Sequence, residues 1–253
     1  MSGADHPIEP NRAALLLGAI VLGLVALSLR DRTAFVKFRA LTESKDRIKR
    51  FRRWAISAFL IFGVGGVLVL WLAGRLANLW RLPSEFQPLA AKLGGGIDSS
   101  MIFGMSFGVM FVAGLLFLTA RRARRGQGPK PGIKGVLPLL PRSPSERVWL
   151  ALLSVNAGIT EEIFFRLAIP LLLFAVTGAL IGSLVCACLI FGLVHAYQGL
   201  VGVLATTVLG ALFTLVYLAT GSLILTMIVH LIIDLNTLVF LPWLRARAAA
   251  KTA

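Results

Sequence analysis

Three stretches of this chain, 13–29, 55–73 and 101–120, contain no Asp, Glu, Lys or Arg at all. About 20 such residues, rising 1.5 Å each along a helix, cross the roughly 30 Å hydrocarbon layer of a bilayer. A helix in a soluble core needs one apolar stripe, not an apolar circumference of that length. The composition agrees: 57% of the 253 residues are apolar and 15% are charged, against about 25% charged in an ordinary soluble domain. The fold class expected is all-α, a polytopic transmembrane bundle, and membrane lipids are its solvent.

The spans expected are 13–30, 54–74, 101–120, 148–177, 178–197, 199–219 and 221–243. The fourth contains Pro170 and should kink or break there, which would raise seven spans to eight. Net charge is +15, and its distribution argues for topology rather than nucleic acid. Ten Lys or Arg fall within 30–53 and eight within 121–147, whereas 75–100 has only three. Short basic loops lie on the cytoplasmic side, where they also meet anionic headgroups. Arg121-Arg122-Ala123-Arg124-Arg125 has no aromatic interleaving, so no nucleic-acid partner is expected. Arg245, Arg247 and Lys251 favour a cytoplasmic C-terminus and hence an external N-terminus. Trp54, Trp80, Trp149 and Trp243 sit near span ends, as interfacial aromatics do. Cys186 and Cys188 are two residues apart on one helix, face different ways and do not pair.

The segment 126–144 is rich in Gly and Pro and reads as linker. It ends in Ser143-Pro144-Ser145-Glu146, a capping-box pattern that opens the next helix. The division that follows is 1–147 as scaffold, 148–243 as the working membrane domain and 244–253 as a basic tail.

Within 148–244 only four residues are charged, Glu161, Glu162, Arg166 and Asp234, and His195 and His230 lie in the same stretch. A charge at mid-bilayer costs ~2.5–3.5 kcal/mol on insertion scales, so it needs a partner or a task. Glu162 and Arg166 are four apart and can pair on one helix face; Glu161, about 100° around, is left to face a cavity. His230 and Asp234 share a face by the same spacing. With the fourth span running outward and the fifth and seventh running back, one pocket open to the cytoplasm could hold all six. A carboxylate beside a histidine activates water as general base, and further donors steady an oxyanion. Glu161, His195, His230 and Asp234 would also serve as a zinc set with water in the open position. The same ionisable groups would suit a proton- or ion-coupled transporter, though no internal repeat is visible, or persist in an inert membrane scaffold.

In these residues the chain resembles the CAAX-protease and bacteriocin-processing family of intramembrane endopeptidases. The motifs are Glu161-Glu162-x-x-x-Arg166, Phe191-x-x-x-His195 and His230-x-x-x-Asp234, in order and each within an apolar span; Leu209-Gly210-Ala211-Leu212-Phe213 and Thr220-Gly221-Ser222-Leu223 are family-like too. The resemblance covers about 145–240. It implies hydrolysis of a peptide bond in a membrane-associated peptide or lipidated protein, with Glu161 and His195 activating water, His230 and residue 234 stabilising the oxyanion, and Glu162 and Arg166 supporting them. Position 234 is Asp where the eukaryotic prenyl-protein proteases have Asn. An ionised Asp cannot donate to an oxyanion, so Asp234 must be protonated, orient His230 or bind a metal. The Ala-, Arg- and Leu-rich composition points to a bacterial inner membrane.

Overall fold

The structure is a computed structural model that describes residues 7–93 and 137–250, with Arg121 and Arg125. The span expected at 101–120 and most of the Gly/Pro segment lie outside the described residues. Among the described residues every regular element is helical. Helix α1 is Pro10–Arg39, α2 is Ser44–Leu72 and α3 is the short Gln87–Lys92. Helix α4 runs over 144–177, α5 is Leu180–Val194, α6 is Leu200–Thr220 and α7 is Leu223–Arg247. Four of these, α1, α2, α6 and α7, are long and apolar enough to cross a membrane.

Their outer faces confirm which solvent they need. Leu15 and Leu22 on α1 and Leu200 on α6 are each about three-quarters exposed. Unpaired apolar surface of this extent is stable against lipid and not against water. This is an integral membrane protein.

Helix α4 is the hub: α2 and α7 pack along its first half and α1 along its second. It does not break at Pro170. Proline lacks an N–H, and its ring collides with the carbonyl four residues earlier. The chain absorbs both effects by widening into a π-helix at Ile163–Ala168, just ahead of the proline, and then resuming α-helix at Ile169. Helix α7 repeats the device, with a π-helical Asn236–Phe240 ahead of Pro242. Eight spans are therefore not needed to accommodate Pro170. Two-residue connections at 178–179 and 221–222 force α4/α5 and α6/α7 into antiparallel hairpins.

Small residues set how closely the helices approach. A Cβ on Gly158 of α4 would sit 3.1 Å from the Leu231 nitrogen and 3.2 Å from the Met227 carbonyl of α7. On Gly192 of α5 it would lie 2.9 Å from the Val203 carbonyl of α6. In lipid, where apolar side chains gain nothing by leaving solvent, such backbone contact is a principal source of helix association.

At the basic end, α4 is fastened to α2. The Ser143 hydroxyl caps α4 by accepting from the Glu146 N–H at 3.2 Å. The Glu146 carboxylate does not complete the capping box; it accepts from Arg47 Nε at 3.1 Å, from the Arg142 N–H at 2.9 Å and from the Ser44 hydroxyl. Arg47 also donates to the Pro138 and Leu140 carbonyls and lies over the Phe38 ring. Burial alone would push the Glu146 carboxyl up, but these donors together hold it below its ordinary value. Its contribution is therefore present above the unfolded-state pKa and is lost as pH falls through the folded-state one.

Two outcomes follow for stability in detergent. Glu146→Ala leaves Arg47 buried without its counter-charge and should cost about 3 kcal/mol, read as a lowered unfolding midpoint. Gly158→Val should cost ~1–3 kcal/mol by wedging α4 from α7, whereas Gly74→Ala, at a position with open space, should cost less through the strain of its positive φ alone.

Candidate active site

Glu162 lies at the end of the first α-helical part of α4 and is fully buried. Its Oε2 is 3.2 Å from Arg166 Nε, one turn on, and its Oε1 accepts from His230 Nδ1 at 2.7 Å. One carboxylate thus joins two turns of α4 and ties both to α7. Since a carboxylate paired with a guanidinium can only accept, the His230 proton sits on Nδ1, and Nε2 points away, 3.7 Å from Asp234 Oδ2.

His195 is positioned by a second such choice. Its Nδ1 is 2.8 Å from the Phe191 carbonyl, which has no proton to give. The ring must donate from Nδ1, so the neutral imidazole presents a bare Nε2. This is why the second motif has a four-residue spacing: the His at the end of α5 reaches back one turn to a carbonyl that the helix end leaves open.

Phe191 has further duties. Arg166 stacks on its ring at 4.5 Å and lies 5.4 Å from the Phe213 ring. The His230 ring is stacked on Phe213 with centroids 4.5 Å apart and meets Phe191 edge-on at 6.3 Å. Apart from the Glu162 carboxylate, Arg166 has no hydrogen-bond partner for its terminal nitrogens among the described residues; two aromatic faces take the place of further acceptors, an arrangement worth more when desolvated.

A cavity of about 260 Å³ opens beside this cluster. Glu161, His195, His230 and Asp234 line it; Glu162 and Arg166 do not and stand behind it. The two adjacent glutamates therefore have separate positions, one facing the cavity and one holding the frame. Asp234 is the more open of the group, its side chain 28% exposed.

The rest of the wall comes from places where no site residue was expected. Leu27, Arg30 and Asp31 of α1 and Trp54, Ser57 and Phe62 of α2 line the same cavity. Arg30 bridges them, donating to Ser57 at 2.8 Å and Asp31 at 3.1 Å. Tyr197 and Gln198, in the 3₁₀ turn Ala196–Gln198, complete the wall. The signal available for α1 was the placing of Leu27, Arg30 and Asp31 at helical three- and four-residue intervals, where the apolar stripe turns polar.

Among the described residues no three His, Cys, Asp or Glu side chains are grouped closely enough to hold a metal ion. As they stand, Glu161, His195, His230 and Asp234 do not fit a zinc site. What they do make is a cavity wall with two oriented imidazoles and two carboxylates, suited to moving a proton to and from water.

Residues 143–236 match the family model described as Rce1-like, type II CAAX prenyl endopeptidase Rce1-like. No curated protein and no solved structure matches the chain. The matched segment begins at the cap of α4, ends just past Asp234 in α7, and contains all six charged or imidazole groups of the cluster. That segment is similar to the type II CAAX prenyl endopeptidases of the Rce1-like family, which are proteases of membrane-associated proteins.

Proposed function

We propose that Glu161 takes a proton from a water molecule in the cavity and that His195 shares this task. The hydroxide so formed would attack the scissile carbonyl, and the proton would return to the leaving amine. The observation that carries this reading is the separation of the two glutamates. Glu162 is committed to Arg166 and His230, which leaves Glu161 as the glutamate of the pair with cavity access and no hydrogen bond from protein among the described residues. The bare Nε2 of His195 is the natural second acceptor. His230, held by Glu162 and next to Asp234, would face the developing oxyanion. As a net neutral pair, His230 and Asp234 carry one proton toward the cavity wherever it resides, which is how an Asp at 234 is compatible with this role.

The cavity's apolar wall, including Leu27, Phe62, Leu150, Leu153 and Leu238, suits a lipidated peptide. Its Arg30 rim adjoins the basic segment 30–53, which by the positive-inside rule supports an opening toward the cytoplasm; a bacterial inner membrane fits the composition.

The assay is cleavage of a fluorescence-quenched prenylated peptide ending in Cys-aliphatic-aliphatic-X by the detergent-purified full chain. Glu161→Gln should lower turnover at least ~10³-fold, within the range for loss of a general base, with the unfolding midpoint unchanged. Turnover retained in that variant would remove Glu161 from the role. His195→Ala and His230→Ala should each lose ~10²-fold or more; both staying within a few-fold of wild type would sink the cavity as the active site. Metal analysis of the active protein should find less than stoichiometric zinc, with activity surviving a chelator. Stoichiometric zinc, lost in His230→Ala, would replace this mechanism with a metal-bound one that requires the four cavity groups to converge.

A further inference from the structure

We infer that Tyr197 is a catalytic residue whose hydroxyl donates a hydrogen bond to the oxygen of the scissile carbonyl. The inference rests on the hydrolytic reading above and adds a group outside the six. Attack of water on an amide moves negative charge onto the carbonyl oxygen, and sites that accelerate it supply preorganised donors there. Near the histidines of this cavity most donors are already engaged. Glu161 accepts, and His230 and Asp234 share the one proton that their pair carries toward the cavity. The Nδ1 protons of His195 and His230 are already spent on the Phe191 carbonyl and on Glu162. Thr206 gives its proton to backbone carbonyls of its own helix, at 2.8 and 3.1 Å. Arg30 is engaged at the rim by Asp31 and Ser57.

Tyr197 is the exception nearest the chemistry. Its oxygen accepts from Gln198 Nε2 at 3.1 Å, while its own proton goes to no protein group among the described residues. Tyr197 lines the same cavity as Glu161, Asp234 and Asp31. The ring is fixed against Phe35 of α1, centroids 5.1 Å apart, and is 5.9 Å from the His195 ring. A tyrosine held on two sides, with a donor pointing into its lone pair, has a polarised O–H that needs no reorganisation. It also sits two residues past His195, in the turn that His195 begins, so one short segment delivers an acceptor for water and a donor for the carbonyl.

The test is kinetic. With the quenched prenylated peptide, Tyr197→Phe should lower kcat about 10²-fold, the usual cost of one oxyanion donor, with KM within ~3-fold. Affinity for the phosphinate analogue of that peptide, a tetrahedral anion, should fall by a similar factor. A merely structural tyrosine would not single out the anion. Placing fluorotyrosines at 197 keeps the ring and lowers the hydroxyl's ionisation pH, so the alkaline limb of kcat should move to lower pH as fluorines are added. That series reads the proposal even if the Phe variant folds poorly. Unchanged kcat or phosphinate affinity in Tyr197→Phe, or an unmoved alkaline limb, overturns it. An inactive Glu161→Gln beside a fully active Tyr197→Phe removes this inference alone. An active Glu161→Gln removes the base assignment, and phosphinate binding then still decides Tyr197.

Discussion

The Glu162 carboxylate is the point on which the rest of the site depends. It is fully buried, and a lone charge there would be far too costly to keep. It persists because Arg166 sits one turn on and His230 reaches it from α7. This double engagement joins two helices in a medium where apolar contact alone gives little association. It also settles three questions of chemistry together. It fixes the His230 tautomer, it turns Nε2 of that ring toward Asp234, and, because neighbouring residues on a helix point about 100° apart, it turns Glu161 the other way. The cavity exists on the side of α4 that Glu162 does not occupy.

The aromatic rings supply the rest of the rigidity. A guanidinium whose terminal nitrogens find no acceptor among the described residues is an expensive group to bury, and Arg166 is reconciled to its place by Phe191 and Phe213. The same two rings hold the His230 imidazole. Phe191 also contributes the carbonyl that sets His195. Neither phenylalanine is a chemical participant. Exchanging either for an aliphatic residue removes the face on which a cation rests and the wall that keeps an imidazole flat.

The bundle and its charged cluster were legible in the sequence for one reason: ionisable residues are so improbable in apolar spans that each marks itself. The 161/162/166, 191/195 and 230/234 spacings then carried their own geometry, since four residues is one helical turn. Other features had no comparable signature. Arg30 and Asp31 read as the first residues of a basic loop, yet α1 continues helical to Arg39 and carries both along the cavity. Tyr197 is one of many aromatics near a span end, and nothing in a linear reading says which helix its ring will meet. Glu146 had the right spacing to complete a capping box, but tertiary contact with Arg47 outcompeted the local bond, as a charged partner outweighs a backbone amide. Pro170 and Pro242 predicted disturbance, but whether it takes the form of a kink, a break or a π-turn depends on the neighbours. Here packed helices on both sides hold the axis and leave widening as the remaining option.

The charge balance of the cluster explains how it can sit in lipid and still carry out the proposed chemistry. Glu162 and Arg166 cancel. His230 and Asp234 cancel too, whether as an ion pair or as two neutral groups, because moving one proton between them leaves their sum unchanged. That leaves Glu161 as the single acid with no cation assigned to it. A site with every charge neutralised would be stable and inert, while one with several left over would not insert. One unmatched carboxylate, facing the cavity beside a histidine whose Nε2 is unoccupied, is the smallest imbalance that would allow the proposed transfer of a proton from water and back. Holding the other five groups in place keeps that imbalance confined to Glu161.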